Sequence, residues 1–200
     1  MAEQLPDDIY EESRFRLPLP VRGDLTPAAQ KIFDKHVDPE GGFLAGVRGP
    51  GGIKLHSSGY SENSVPQLQY LRHGTGISNA IRELAILTTA REHDSQFEWS
   101  QHEPEGLRQG LSQEAIDVVK YRKPVDDLSE TEATVITFGR QLFQNRHVEP
   151  EVFAKGLEIF GRQKLVDLVC LMGAYAATAA LLVAFDARMP DDEVFILPLS

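Results

Sequence analysis

Residues 83–102 read ELAILTTAREHDSQFEWSQH, and this stretch decides the fold. Its first half is apolar on nearly every helical face except at Glu83, which predicts a buried helix over residues 78–93 with Ser78 as its N-cap. The second half predicts another helix over about residues 94–109. Two helices joined by so short a turn form a helical hairpin, which is typical of an all-α protein.

Helical patterns also continue on both sides of this hairpin. No run of alternating β-branched residues predicts a strand, so we expect an all-α fold. Residues 40–64 are rich in glycine but lack a phosphate-binding motif, and they are predicted to form a long irregular loop or a pocket wall. The remaining helices are predicted at about residues 27–36, 65–73, 112–121, 129–145, 150–160 and 162–188.

The proline pattern and the helical pattern together predict the domain organisation. Residues 1–27 are predicted to be an extended N-terminal arm, residues 28–190 a single all-α domain, and residues 191–200 a C-terminal tail. Residues 168–185 carry no charge, but their alanine-rich composition favours close helix packing in a core or subunit interface over a membrane span.

Composition excludes several classes of function. The chain has 200 residues and a net charge of −10, so nucleic acid and anionic membranes are not expected as partners. Its single cysteine, Cys170, cannot form an internal disulfide or a two-cysteine redox centre. The N-terminus shows no signal-peptide pattern, so we expect a cytoplasmic protein that acts on a small molecule.

Glu83 is the first candidate site residue, because Ala80, Ile86 and Leu87 flank it on its own helical face. Burial without a partner would raise the pKa of this carboxyl group. Arg82 lies on a different face and is not expected to be that partner. Glu83 is therefore either a functional carboxylate or a structural one paired with a distant arginine.

Glu98 and His102 are the next candidates, since they are four residues apart on one helical face with Ser95. A carboxylate beside an imidazole orients the ring and makes it a general base near neutral pH. The same spacing also occurs in solvated surface pairs. We predict that His102, Glu98 and Glu83 are catalytic residues.

Other chemistries fit these residues less well. Glu83, Glu98, His102 and His93 lack the spacing of common zinc and di-iron sites, so no metal site is predicted. A serine-based triad is not expected, because no GxSxG motif is present.

Three segments follow one another along the chain, namely RGPGGIKLHS at 48–57, RELAIL at 82–87 and FEWSQH at 97–102. In this order they resemble the carboxymuconolactone decarboxylase family of the alkylhydroperoxidase D-like superfamily, and the resemblance covers roughly residues 40–185. It implies a helical-hairpin bundle of the alkylhydroperoxidase D-like type. It also implies a homo-oligomer, trimeric or hexameric, with alanine-rich helices at its interfaces.

In the peroxidase branch of this superfamily, a glutamate, two cysteines and a histidine relay protons. The glutamate and histidine correspond to Glu83 and His102, whereas the cysteine positions fall on Ser95 and Glu98. Thiol peroxidase activity is therefore not expected of this chain.

The decarboxylase branch implies a cofactor-free lyase that acts on a small unsaturated lactone or cyclic carboxylic acid. His102 would donate or accept the proton, with Glu83 and Glu98 setting its charge state. Ser95, Trp99 and His56 would bind substrate, although Trp99 also suits a core position and His56 a solvated loop. The alternatives are a dehydratase or isomerase acting on a secondary metabolite, and a non-catalytic ligand-binding member.

Overall fold

The computed structural model describes residues 5–41, 43–189 and 196–198. Within these ranges the secondary structure is helical, with eight α-helices and no β-strand, which confirms the all-α prediction. The helices are α1 (Pro27–Val37), α2 (Pro50–Leu55), α3 (Ser58–His73), α4 (Asn79–Glu92), α5 (Gln96–Arg108), α6 (Gln113–Lys120), α7 (Glu130–Arg140) and α8 (Pro150–Ala184).

Serine side chains begin three of these helices, and the first of them is Ser78, the N-cap that the sequence predicts for α4. The hydroxyl of Ser78 accepts a hydrogen bond from the first turn of α4, and that of Ser112 does the same for α6. Ser129 forms a reciprocal capping box with Glu132 at the start of α7. Each cap satisfies a backbone N–H that the helix itself leaves without an acceptor.

The prediction of an irregular loop over residues 40–64 is wrong for much of its length. Pro50 begins α2, and α3 starts as early as Ser58. Proline suits the first turn of a helix because the N–H that it lacks has no partner there. A side chain at Gly52 would collide with the carbonyl of Val47, so this glycine permits close packing rather than an irregular path.

The long helix α8 bends at Gly161, whose φ of 69° lies in the left-handed region that favours glycine. This bend falls where the sequence predicts one helix ending at 160 and the next beginning at 162. By length and composition alone, α8 could cross a membrane, a property that core helices of soluble proteins share. Several of its apolar side chains are buried, among them Leu168, Leu171 and Met172.

The described residues fall into two compact units, the first within residues 1–69 and 180–194. The predicted N-terminal arm belongs to this unit. Its backbone forms two hydrogen bonds with the segment after α8. The backbone N–H of Arg16 donates to the Phe185 carbonyl at 2.9 Å, and that of Arg188 donates to the Arg14 carbonyl at 2.8 Å. Phe15 is fully buried and anchors the arm. Of the predicted tail, residues 191–195, 199 and 200 lie outside the described residues.

The second unit lies within residues 70–179 and 195–200 and contains α4 to α7. Helix α4 is its centre, and α5, α6 and α7 all pack against it. Gly139 of α7 allows a close approach, since a Cβ at this position would lie 2.6 Å from the Thr88 methyl group of α4. The continuous apolar surface of α4 thus becomes the core, and any polar group on it is taken out of water.

Candidate acid–base site

Glu83 is fully buried in the first half of α4. All ten residues from Arg82 to Arg91 are buried, in agreement with the predicted all-round apolar character of this helix. A carboxylate in such surroundings needs hydrogen-bond donors to remain ionised.

Arg82 supplies two of those donors, and this contradicts the prediction that it could not pair with Glu83. Its Nε and Nη2 both lie 3.0 Å from Oε1 of Glu83. Adjacent side chains leave a helix about 100° apart, but the arginine side chain is long enough to bring its guanidinium back to its neighbour. Nη1 also donates to the carbonyl of Arg72 at 2.7 Å and to the side chain of Asn79 at 2.9 Å.

His102 of α5 bonds to the other oxygen of the same carboxylate. Its Nδ1 lies 2.7 Å from Oε2 of Glu83. An ionised carboxylate only accepts, so Nδ1 carries the proton in this bond. Among the residues that the structure describes, nothing hydrogen-bonds to the second ring nitrogen, Nε2, and the His102 side chain is 8% exposed.

The partner of Nδ1 is therefore Glu83 and not Glu98, the neighbour predicted from the spacing on α5. Glu98 is buried in the first turn of that helix, and its charge contributes to raising the pKa of Tyr175. Helical spacing permits a bond between residues four apart, but a carboxylate on a second helix can compete for the same nitrogen.

Tyr175 of α8 completes the group. Its ring meets the His102 ring edge to face, with centroids 5.1 Å apart and planes at 84°. Burial raises the pKa of the Tyr175 phenol far above its usual value, so this group stays protonated. The ring that packs against the imidazole is thus that of a neutral phenol.

The charge of Glu83 results from two opposing effects. Burial by itself raises the pKa of this carboxyl group, whereas the hydrogen bond from His102 and the charges of His102, Arg72 and Arg82 lower it. The donors outweigh the burial, and the pKa of Glu83 is lowered overall. Glu83 is consequently ionised at neutral pH.

For His102 the balance favours the neutral ring. Burial lowers the pKa of this imidazole, and the charges of Arg72 and Arg82 act in the same direction, while the bond to Glu83 raises it. The net pKa lies below the ordinary value of 6.5. The site at neutral pH is therefore a carboxylate bonded to a neutral imidazole whose Nε2 has a lone pair available as a base.

The three predicted substrate-binding residues lie in different surroundings. Ser95 is the buried N-cap residue of α5. Trp99 is fully buried, and its indole N–H donates to Glu103 at 2.9 Å. His56 belongs to the first unit, where its Nε2 lies 2.9 Å from the Pro18 carbonyl. Contact of these residues with a substrate stays a prediction.

His93 is one of the residues whose spacing was compared with that of metal sites. Its Nδ1 hydrogen-bonds to the Thr89 carbonyl at 2.9 Å, and its ring packs against Phe143. Across the described ranges, no three His, Cys, Asp or Glu side chains cluster in a way that could hold a metal ion.

Sequence reasoning missed Arg72 and Tyr175 and rejected Arg82 as a partner of Glu83. Arg82 directly precedes Glu83, but its role depends on a side-chain conformation that spacing does not reveal. Tyr175 lies within the uncharged segment 168–185, where its hydroxyl is one of few polar groups and could have been noticed. Arg72 gives no local signal, because it lies at the end of α3 and not on either of the helices that carry Glu83 and His102.

The sequence matches neither a model of a known protein family nor a curated protein. The family resemblance therefore depends on the quoted segments alone.

Proposed function

We propose that this chain is a cofactor-free lyase of the carboxymuconolactone decarboxylase type, acting by acid–base catalysis on a small unsaturated lactone or cyclic carboxylic acid. The observation that carries the proposal is the buried bond between ionised Glu83 and Nδ1 of neutral His102. Such a bond fixes the tautomer of the ring and directs the basicity of the pair to Nε2.

In the proposed decarboxylation, the bond between the substrate ring and its carboxylate breaks and carbon dioxide leaves. The electron pair passes into the unsaturated lactone as an enolate. His102 takes a proton from solvent at Nε2 and delivers it to carbon, so that one proton is consumed for each carbon dioxide released. Glu83 stabilises the intermediate imidazolium, and the neutral Tyr175 hydroxyl is a candidate donor to the enolate.

Thiol chemistry is not part of the proposal. The positions that the resemblance assigns to the two peroxidase cysteines hold Ser95 and Glu98, and neither side chain can form a disulfide. Cys170, the single cysteine, lies exposed on α8.

A second candidate function is proton transfer within a substrate, as in an isomerase or dehydratase. The lowered pKa of His102 favours it, because a neutral ring can begin by abstracting a proton from carbon. Nε2 would then return that proton to another carbon, or to a leaving hydroxyl that departs as water.

The proposal extends to assembly and location. We propose a homo-oligomer, trimeric or hexameric, in the cytoplasm. The exposed side chains of Val166 and Cys170, one turn apart on α8, support an interface there. Sedimentation velocity measures the oligomeric state directly.

We expect the purified protein to release carbon dioxide from carboxymuconolactone, the compound after which the family is named. If delivery of the proton from imidazolium limits the rate, kcat/KM falls as pH rises through the His102 pKa, below 6.5. If a proton is abstracted first, kcat/KM rises through the same pKa and then levels off. Steady-state rates from pH 4.5 to 8, with mass spectrometry of the products, distinguish the two functions. If the protein neither forms product nor exchanges carbon-bound deuterium for protons, both proposed functions are contradicted.

A further inference from the structure

Arg72, in the last turn of α3, has a guanidinium without a complete set of acceptors. Arg72 as a whole is partly buried, and its side-chain Nε is fully buried without a hydrogen-bond partner among the described residues. A guanidinium N–H removed from water costs free energy unless an acceptor meets it. A native protein rarely keeps such a group without a reason.

The position of Arg72 links it to the acid–base site. Its backbone carbonyl accepts the 2.7 Å hydrogen bond from Arg82, the residue that holds Glu83. Its charge also acts on three groups of the site, since it lowers the pKa values of Glu83, His102 and Tyr175. Arg72 therefore lies within electrostatic reach of the imidazole.

The two arginines differ in what remains available to a ligand. Arg82 is already engaged at Nε and Nη2 by Glu83 and at Nη1 by Asn79 and the Arg72 carbonyl. The Arg72 side chain makes no ion pair with a carboxylate in the described part of the chain. Of the two, Arg72 is the one that can receive an incoming anion.

We propose that Arg72 binds a carboxylate group of the ligand and holds it beside His102. The inference rests on the proposed function, and it specifies the ligand as a small organic anion. A guanidinium can pair with both oxygens of a carboxylate, so the planar group is oriented as well as bound. The acceptor missing at Arg72 would be supplied by the ligand. Arg72 is thus a binding residue that discriminates between an acid and its neutral analogue.

The test uses 2-furoate and 2-furamide, which share a five-membered ring and differ in having a carboxylate or a carboxamide. Isothermal titration calorimetry of the full-length protein at pH 7.5 gives a Kd for each probe. We expect 2-furoate to bind about tenfold more tightly than 2-furamide, as a charge-assisted pair implies. In Arg72→Gln the two Kd values should become equal, and Arg72→Lys should keep part of the preference because it retains the charge.

Two further variants make the result specific. Arg162→Gln removes an exposed arginine of α8 and should leave the preference unchanged. His102→Gln should also keep it, because the anion site does not need the catalytic base. The proposed function fails if His102→Gln keeps full turnover, whereas this inference fails if the preference for 2-furoate persists in Arg72→Gln, so the two failures are distinguishable. Equal affinities in the wild type, no heat of binding with about 10 mM 2-furoate, or a preference that persists in Arg72→Gln would each overturn it.

Discussion

Replacing Arg82 with methionine is expected to lower the free energy of unfolding by about 3–5 kcal/mol, the cost of leaving one partner of a buried ion pair alone. Glu83 has no exposed surface, and Arg82 provides two of the donors that keep it ionised. Methionine preserves much of the apolar stem but none of the N–H groups. Urea unfolding at pH 7, followed by far-ultraviolet circular dichroism, measures the difference.

Two controls show whether this loss comes from the buried charge. Arg162→Met removes an exposed arginine of α8, and we expect it to cost less than about 1 kcal/mol. The double variant Arg82→Met/Glu83→Gln should recover part of the stability, because no isolated carboxylate remains. An Arg82→Met variant no less stable than Arg162→Met would show that Arg82 does not support the Glu83 charge.

Replacing His102 with glutamine is expected to lower kcat by about 10²- to 10⁴-fold, the usual contribution of a positioned acid–base group. Glutamine retains an N–H that can donate to Glu83, but it has no titrating nitrogen to replace Nε2. The variant should therefore fold normally and bind substrate while losing turnover. Steady-state kinetics with carboxymuconolactone, the proposed substrate, measures the effect.

The matched control is His93→Gln, which changes the histidine of α4's C-terminal cap. That ring bonds to the Thr89 carbonyl on its own helix, so its loss should change kcat by less than about twofold. If His102→Gln folds and keeps the full kcat, Nε2 of His102 is not the group that transfers the proton.

Much of the fold was predictable because its signals are local. The serine caps at Ser78, Ser112 and Ser129 each act within one helical turn, and sequence spacing alone identifies them. The break between the helices predicted to end at 160 and to begin at 162 coincides with Gly161, whose positive φ interrupts α8. The glycines of residues 40–64 were misleading, because glycine serves both irregular loops and close packing. Only the approach of the Val47 carbonyl distinguishes the two at Gly52.

Of the candidate site, Glu83 and His102 were predictable from the sequence, but the hydrogen bonds that connect them to each other and to Arg82 were not. An isolated glutamate on an apolar helix indicated that Glu83 would be buried, and the structure agrees. The partners of His102 and Glu83 depend on how α4 and α5 are rotated against each other, and on the conformation of one long arginine side chain. Residue spacing reveals neither of these. The sequence therefore predicted Glu98 as the hydrogen-bond partner of His102, whereas the structure has Glu83 in that role.

The protonation state of His102 can be measured without knowing the substrate. In a ¹⁵N NMR titration of histidine-labelled protein, the His102 signals are assigned by their loss in His102→Gln. We expect a neutral ring at pH 7 that is protonated at Nδ1 and unprotonated at Nε2, with a pKa below 6.5. A ring that is doubly protonated at pH 7, or a neutral ring that carries its proton on Nε2, would contradict the assignment of Nε2 as the base.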